Sequence, residues 1–419
     1  MLFRKKNSPA DSSSLGSITW KRFRRNTLAM IGLGMIVAAC IISVLGYLIT
    51  PDQTPFANTQ NPELHIKSPG FETRFLLVTK NAELPRESWF KRMLFGEAES
   101  CAAYTAFHYR FVEGDIEIEE YTGNTPNNGS VSRFNLADVV YALHPGSHPV
   151  YDAGRQEIRY QALGSEQPTT VSVQALQKEV EAHHLIVKKY LLGTDLLGRD
   201  LLSRLLIGTR ISLTVGLISV IISIFIGILL GALAGYYRGM VDTAISWLIN
   251  VVWSIPTLLL VIAITLVLGK GITQVFIAVG LTMWVDVARI VRGQVLSLRE
   301  KEFVEAGKAL GYKNSRIIFR HILPNVMGPV IVMAAGNFAS AILMEAGLSF
   351  LGIGAQPPVP SWGEMTNAHH GYILMDKAYL AFIPGLAIML LVLSFMLVGN
   401  GLRDAMDSKS SDAKPIQSV

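Results

Sequence analysis

Charge is scarce in this 419-residue chain. Asp, Glu, Lys and Arg make up 16% of it, while half of the residues are hydrophobic. A soluble protein of this size carries about 25% charged residues. Cysteine is nearly absent. Cys40 sits inside an apolar run and Cys101 in a polar stretch, so the two frame no disulfide and say nothing of the redox compartment. The signatures of bond-breaking sites are also missing. Gly307-Lys308 is followed by Ala309, and Glu302 stands where a phosphate-cradling loop needs its first glycine, so no Walker A sequence exists here. Nor is there a G-x-S-x-G, an H-E-x-x-H or a C-x-x-C. No catalytic residue, cofactor site or metal site is expected, and the chain is not read as an enzyme. The net charge of +5 gathers near the ends of apolar runs. That is the mark of membrane topology and not of nucleic-acid binding.

The polar residues that are present divide the chain. Residues 1–26 are polar and basic, and the apolar run 27–48 follows. At about 22 residues that run exceeds a signal peptide's apolar core, so it reads as an uncleaved first span. Residues 51–190 hold no run of span length. They hold strand-like pieces at Phe75–Val78, Ala106–Val112, Glu117–Tyr121 and Val171–Val173, with turn signals at Gly123–Gly129 and helical spacing over Leu176–Leu192. This predicts a small α+β insertion. Its histidines (His144, His148, His183 and His184) complete no ligand set with carboxylates or cysteines and read as surface residues.

Residues 192–213 predict an amphipathic interfacial helix with an Asp200–Arg204 pair, leading into five further spans. These cover Ile211–Tyr236, Ala244–Leu268 with a kink at Pro256, Ile272–Val285 with a helical continuation, Val326–Met344 and Tyr379–Asn400. Basic residues crowd 1–26 and 289–325, where Arg289, Arg292, Arg299, Lys301, Lys308, Lys313, Arg316 and Arg320 lie. The short loops 269–271 and 346–378 hold only Lys270 and Lys377. Both termini are therefore expected inside, with the insertion outside. The spans carry almost no ionisable residue, with Asp286 and Glu345 expected only at their ends. A carrier driven by an ion gradient needs such residues, so energy is expected from a cytoplasmic partner. Glu345 reads first as an interfacial residue near headgroup level and second as a gate or pathway carboxylate.

The segment Glu302–Asn325 is the charged, sequence-rich stretch between two spans. A short helix is predicted over about 302–310, with Phe303, Ala306 and Leu310 on one stripe and Gly311 as its C-terminal cap. Asn314 or Ser315 is predicted to cap a second helix that Pro324 ends or kinks. Such a hairpin is a docking element.

This stretch resembles the E-A-A-x3-G-x9-I-x-L-P motif of the membrane subunits of ABC importers. Glu305, Ala306, Gly311, Leu323 and Pro324 fall on the motif. Gly307 replaces its second alanine, and His321, beside Ile322, stands at the isoleucine. The segments 192–204, Ser254-Ile255-Pro256 and 345–363 are similar to the dipeptide/oligopeptide permease branch. The resemblance covers 27–48 and about 190–405. The insertion departs from the family, whose first outer loop is usually much shorter.

The resemblance implies an all-α polytopic membrane protein of type I ABC importer architecture, with six transmembrane helices and the α+β insertion between the first two. It divides the chain into a cytoplasmic segment 1–26, a first span 27–48, the insertion 51–190, a permease domain 191–405 and a tail 406–419. It also implies a bacterial inner-membrane permease for di- or oligopeptides. Its partners would be a second homologous permease, two cytoplasmic ATPases and an outer solute-binding protein, with no nucleic acid. The ATPases would couple through Glu305, Ala306, Gly307, Gly311, Leu323 and Pro324. Two alternatives remain. One is the same transport class with nickel, glutathione or an antibiotic peptide as solute. The other is a membrane-anchored sensor or interaction protein using 51–190.

Overall fold

The computed structural model describes residues 15–83, 88–123, 125 and 127–407. The basic cluster Arg4–Lys6, Ser12–Ser14, the turn residues Asn124 and Pro126, and tail residues 408–419 lie outside the described set. In chain order, α1 (Leu15–Phe23) and α2 (Thr27–Ile49) come first. A mixed region follows: β1 (Phe71–Thr79), α3 (Trp89–Phe95), β2 (Cys101–Ala106), β3 (His108–Val112), β4 (Asp115–Glu119), β5 (Val131–Asn135), α4 (Leu136–Val140), β6 (Val150–Asp152), β7 (Glu157–Tyr160), β8 (Thr169–Ser172), α5 (Val173–Glu179) and β9 (Leu185–Tyr190). The remainder is helical: α6 (Leu201–Tyr237), α7 (Gly239–Ser254), α8 (Thr257–Leu268), α9 (Ile272–Arg299), α10 (Glu302–Ala309), α11 (Asn314–Arg316), α12 (Leu323–Phe350), α13 (Trp362–His369) and α14 (Tyr379–Met406). The contacts divide these into a membrane unit (residues 1–41, 209–357 and 361–419) and a second unit (42–208 and 358–360).

The described residues of the membrane unit form helices joined by turns and loops, with no strand among them. Among the described residues five helices are long and apolar enough to cross a bilayer, and α7 with α8 makes a sixth crossing if the bent pair counts as one. The predicted kink at Pro256 is a break: α7 and α8 meet at 93° across Ile255 and Pro256. Proline lacks the N–H that would continue the ladder, and it pushes the residue before it into extended backbone. Small residues set how closely the helices approach. Gly227, Gly231 and Gly235 recur every fourth residue on α6. A Cβ on any of them would lie 2.5–2.9 Å from the α9 carbonyls of Trp284, Ala288 or Arg292. The two backbones thus pack through a glycine stripe.

The second unit holds three antiparallel three-stranded sheets, ordered β2-β1-β9, β3-β4-β5 and β6-β7-β8. Leu76, Ile116, Ile118, Ile158, Leu176 and Val180 are fully or almost fully buried in its core. Two predictions fail here. The helix expected over Leu176–Leu192 stops early: α5 ends at Glu179, a π turn follows (Val180–His184), and Leu185–Tyr190 becomes strand β9. Pairing with β1, with Leu76 opposite Leu185 and Phe71 opposite Tyr190, overrides the helical spacing. The amphipathic lead-in expected over 192–213 is also absent. Residues 192–200 form a tight turn, and α6 runs unbroken from Leu201.

That turn is held by buried charge. Asp195 Oδ1 accepts the backbone N–H groups of Leu197 and Arg199, each at 2.9 Å, and its Oδ2 accepts Arg199 Nε at 2.7 Å. Arg204 Nε approaches the same carboxylate at 3.6 Å. Asp200 caps α6 by accepting from Ser203 N at 2.9 Å. Burial pushes the Asp200 carboxyl above its ordinary range, and its bonds from Ser203 oppose that rise.

Candidate functional site

The hairpin after α9 starts from a short helix and a glycine. Lys301 precedes α10 in extended backbone, and Glu302 and Glu305 occupy its first turn, where the helix dipole favours acids. The helix ends at Gly311, whose φ of +73° lies in the left-handed region. Gly311 N–H reaches Lys308 O at 2.9 Å and Tyr312 N–H reaches Gly307 O at 3.0 Å. This pair of bonds is the Schellman arrangement that glycine permits.

The face α10 buries differs from the expected one. Val304 and Gly307 are buried, whereas Phe303, Ala306 and Leu310 point outward, with Leu310 70% exposed. The predicted apolar stripe exists but is left unburied, beside the exposed Glu302 and Glu305. Val304 enters a core shared with Tyr236 of α6, Val291 and Val295 of α9, and Ile318, Ile322 and Val326 around the start of α12. A displacement of α10 therefore meets three membrane helices at one packed junction.

The second half of the hairpin also differs from expectation. Neither Asn314 nor Ser315 caps it. Lys313 occupies the cap position, and Asn314 Oδ1 accepts Tyr236 Oη at 2.8 Å. Pro324 does not end the helix either. A π turn over Ile317–Ile322 carries the chain from α11 into α12, and Asn314–Phe350 forms one 37-residue helical stretch. Pro324 is the second residue of α12, directly after that π turn. Leu323 is half-buried against the shared core. His321 stacks on Tyr312 with centroids 5.7 Å apart, and the Arg316 guanidinium lies 4.1 Å from the other ring's centroid, that of Tyr312.

Gly307 departs from the motif without being forced to. A Cβ there would meet Tyr312 Cδ2 at 3.5 Å and Ile317 Cγ1 at 3.8 Å, which is ordinary contact. Gly307→Ala is expected to stabilise the helix by about 1 kcal/mol. Thermal unfolding of the purified chain checks this. A lowered melting temperature would contradict it.

Glu345 is buried within protein, at 1% exposure, and does not sit among headgroups. Its Oε1 accepts Ser349 Oγ at 2.7 Å and Ser361 Oγ at 2.6 Å, and Ser349 Oγ accepts Ala355 N–H at 3.0 Å. The carboxylate therefore fastens the Gly- and Pro-rich loop after α12 to the helix it leaves. Oε2 has no hydrogen-bond partner among the described residues.

A polar cavity was missed from sequence. About 150 Å³ is lined by Thr282, Asp286, Asn337 and Ser340, with Trp253 and Met344 among its apolar walls. Asp286 is the fifteenth of the 28 residues of α9, not at an end as expected. Asn337 Nδ2 is buried without a partner among the described residues. The signal was an asparagine within an apolar run, since polar groups inside spans are costly unless they line a path. No group of three His, Cys, Asp or Glu that would hold a metal occurs among the described residues. His144 and His184 instead contact the carbonyls of Pro145 and Leu77 through Nδ1.

Residues 227–411 match the family model described as binding-protein-dependent transport system inner membrane component. Residues 14–69 match that of the N-terminal TM domain of oligopeptide transport permease C. The chain is 44% identical over 217 residues to the dipeptide transport system permease protein DppC of Alkalihalophilus pseudofirmus, covering 52% of this chain and 71% of that one. It is 43% identical over 218 residues to the glutathione transport system permease protein GsiD of Pectobacterium atrosepticum, covering 52% and 72%. Among solved structures it resembles the inward-facing MetNI methionine ABC transporter, with a TM-score of 0.41 and 18% identity over 49% of this chain and 97% of that one.

Proposed function

This chain belongs to the binding-protein-dependent transport system inner membrane components, and from that premise we propose that it is one of two permease subunits of an ATP-driven importer for peptides or glutathione. It is an inner-membrane permease by family. Its partners in general are a second permease, cytoplasmic ATPases and an outer binding protein. The observation that carries the coupling role is the junction at Val304. There α10 turns its apolar and acidic face outward while its inner face shares a core with α6, α9 and α12.

In this reading Phe303, Glu305, Ala306 and Leu310 enter a groove on an ATPase. Gly311 holds the angle of the helix, and Gly307 faces Tyr312, where a Cβ would also fit. Leu323 and Pro324 carry its movement into α12. The glycine stripe between α6 and α9 makes those helices move as a pair. The chain has no phosphate cradle, so ATP is hydrolysed by the partners. Basic residues beside α10 favour a cytoplasmic hairpin, with both termini on the same side. The insertion then lies outside. The cavity at Asp286 and Asn337 supplies polar groups at membrane depth for the solute's ammonium or amide groups. Glu345 steadies the outer loop above the path.

Affinity purification of the full-length chain from its own membranes tests this. A second permease and two Walker-motif ATPases are expected to accompany it. Vesicles holding that assembly and its binding protein are expected to accumulate labelled dipeptide or glutathione only with ATP. Recovery of the chain without ATPases, or uptake indifferent to ATP, would overturn the proposal.

A further inference from the structure

The second unit carries an exposed aromatic cluster that its own core does not use. Helix α3 reads Trp-Phe-Lys-Arg-Met-Leu-Phe, and Met93 is its one buried side chain. At 100° per residue, Lys91 and Phe95 lie opposite Met93, Leu94 lies about 100° from it and Phe90 about 60°. Phe90 is 62% exposed and Phe95 64%, and Trp89 beside them is 59% exposed. Four large apolar side chains on seven residues are far more than scattered surface exposure explains.

The position of α3 says what covers them. Its C-terminus is clamped to the segment that leaves the membrane. Glu97 N–H donates to Gln53 O at 2.9 Å. Gly96, at φ +79°, lies so close that a Cβ would stand 2.6 Å from Gln53 O and 3.0 Å from Pro55 N. Gln53 is four residues past Ile49, the last residue of α2, which limits its distance from the end of that span to about 14 Å. The clamped segment is itself held to both neighbouring spans. Phe56 N–H reaches Tyr47 Oη, in the last turn of α2, at 2.9 Å. Asp52 N–H reaches Ser203 Oγ, in the first turn of α6, at 3.0 Å. The headgroup layer on each side of the hydrocarbon core is about 5–8 Å deep. The aromatic face of α3 is thus tied within reach of that layer.

We propose that α3 is an interfacial anchor: Trp89, Phe90, Leu94 and Phe95 enter the headgroup and upper acyl region of the leaflet that α2 and α6 cross, with Lys91 at phosphate level and Arg92 paired with Glu97 at 2.7 Å. Tryptophan and phenylalanine with flanking basic residues suit that boundary, where a ring meets hydrocarbon and a cation meets phosphate. The anchor fixes the insertion against the bilayer next to the two spans that bear it. It rests on the chain being a membrane protein and on no particular solute.

The test uses the full-length chain in phosphatidylglycerol/phosphatidylcholine vesicles, with Cys40 and Cys101 replaced by serine. A single cysteine carrying an environment-sensitive fluorophore is placed by Phe95→Cys or, separately, Phe90→Cys. Val131→Cys, exposed on β5, is the control. Both α3 probes are expected to emit blue-shifted light. They should be quenched at least threefold more by lipid-borne nitroxide than the control, and shielded from aqueous iodide. Iodide access equal to that of Val131→Cys, with no quenching from lipid, would overturn the anchor. So would shielding that appears only when an outer binding protein is added, since that assigns the face to a protein partner. Two probe sites keep the result independent of one misfolded variant.

Discussion

Gly311→Val is expected to abolish ATP-driven uptake while leaving the spans inserted. Valine at φ +73° takes a left-handed conformation that costs an ordinary residue about 1–2 kcal/mol and a β-branched one more. The strain is relieved by giving up the two capping bonds from Gly311 and Tyr312. The angle between α10 and α11 is then lost, and the outward face with it. Gly311→Asn is expected to keep most activity, because asparagine tolerates the left-handed region. Glu305→Arg separates docking from folding. It reverses one exposed charge on α10 without touching the buried side at Val304 and Gly307. Its melting curve should match the parent's while ATPase recovery and uptake fall at least tenfold. Normal ATPase co-purification and uptake in both Gly311→Val and Glu305→Arg would sink the coupling role of this hairpin.

Removing the insertion is expected to have the opposite signature. The chain enters and leaves it through a paired stem. Thr194 N–H donates to Lys67 O at 3.1 Å, Ile66 N–H to Asp195 O at 3.2 Å, and Asn61 N–H to Leu197 O at 3.0 Å. Replacing 68–193 by two glycines spans that gap, and Leu64→Ser covers a side chain that packs against Phe75 and Tyr190. The shortened chain is expected to insert and to recover ATPases at the parental level, since three membrane crossings separate the stem from α10 in the proposed topology. Loss of ATPases from a properly inserted deletion would show that the insertion supports the coupling end. Uptake delivered by the binding protein is the quantity this variant is free to lose.

The membrane architecture was legible because hydropathy over about 20 residues reports burial in lipid directly. The stop at Gly311 was legible because few residues but glycine accept its conformation. The orientation of α10 was not. Phe303, Ala306 and Leu310 form a real stripe, but periodicity cannot say whether a stripe meets the same chain or another. Strand β9 was hidden because its partner, β1, lies more than 100 residues away in sequence, and local spacing carries no trace of that pairing. Asp286 was read as a terminal residue because the apolar run stops there, whereas α9 continues to Arg299. Asn337 and Ser340 were passed over because composition averages single polar residues away, although they share a cavity with Asp286.

The stem and its sheet also set a clock for the chain's birth. Strand β1 is the central strand of its sheet, and one of its two neighbours, β9, ends at Tyr190. Ribosomes add about 5–20 residues per second, so roughly 6–25 s pass between the synthesis of Lys67 and that of Thr194. For that time α2 is already made, while the central strand has an open edge and the stem has no second leg. Long-range pairing of this kind is slow and leaves strands open to wrong partners. The insertion is therefore the step at which assembly of this chain is most exposed to misfolding, before α10 has been made.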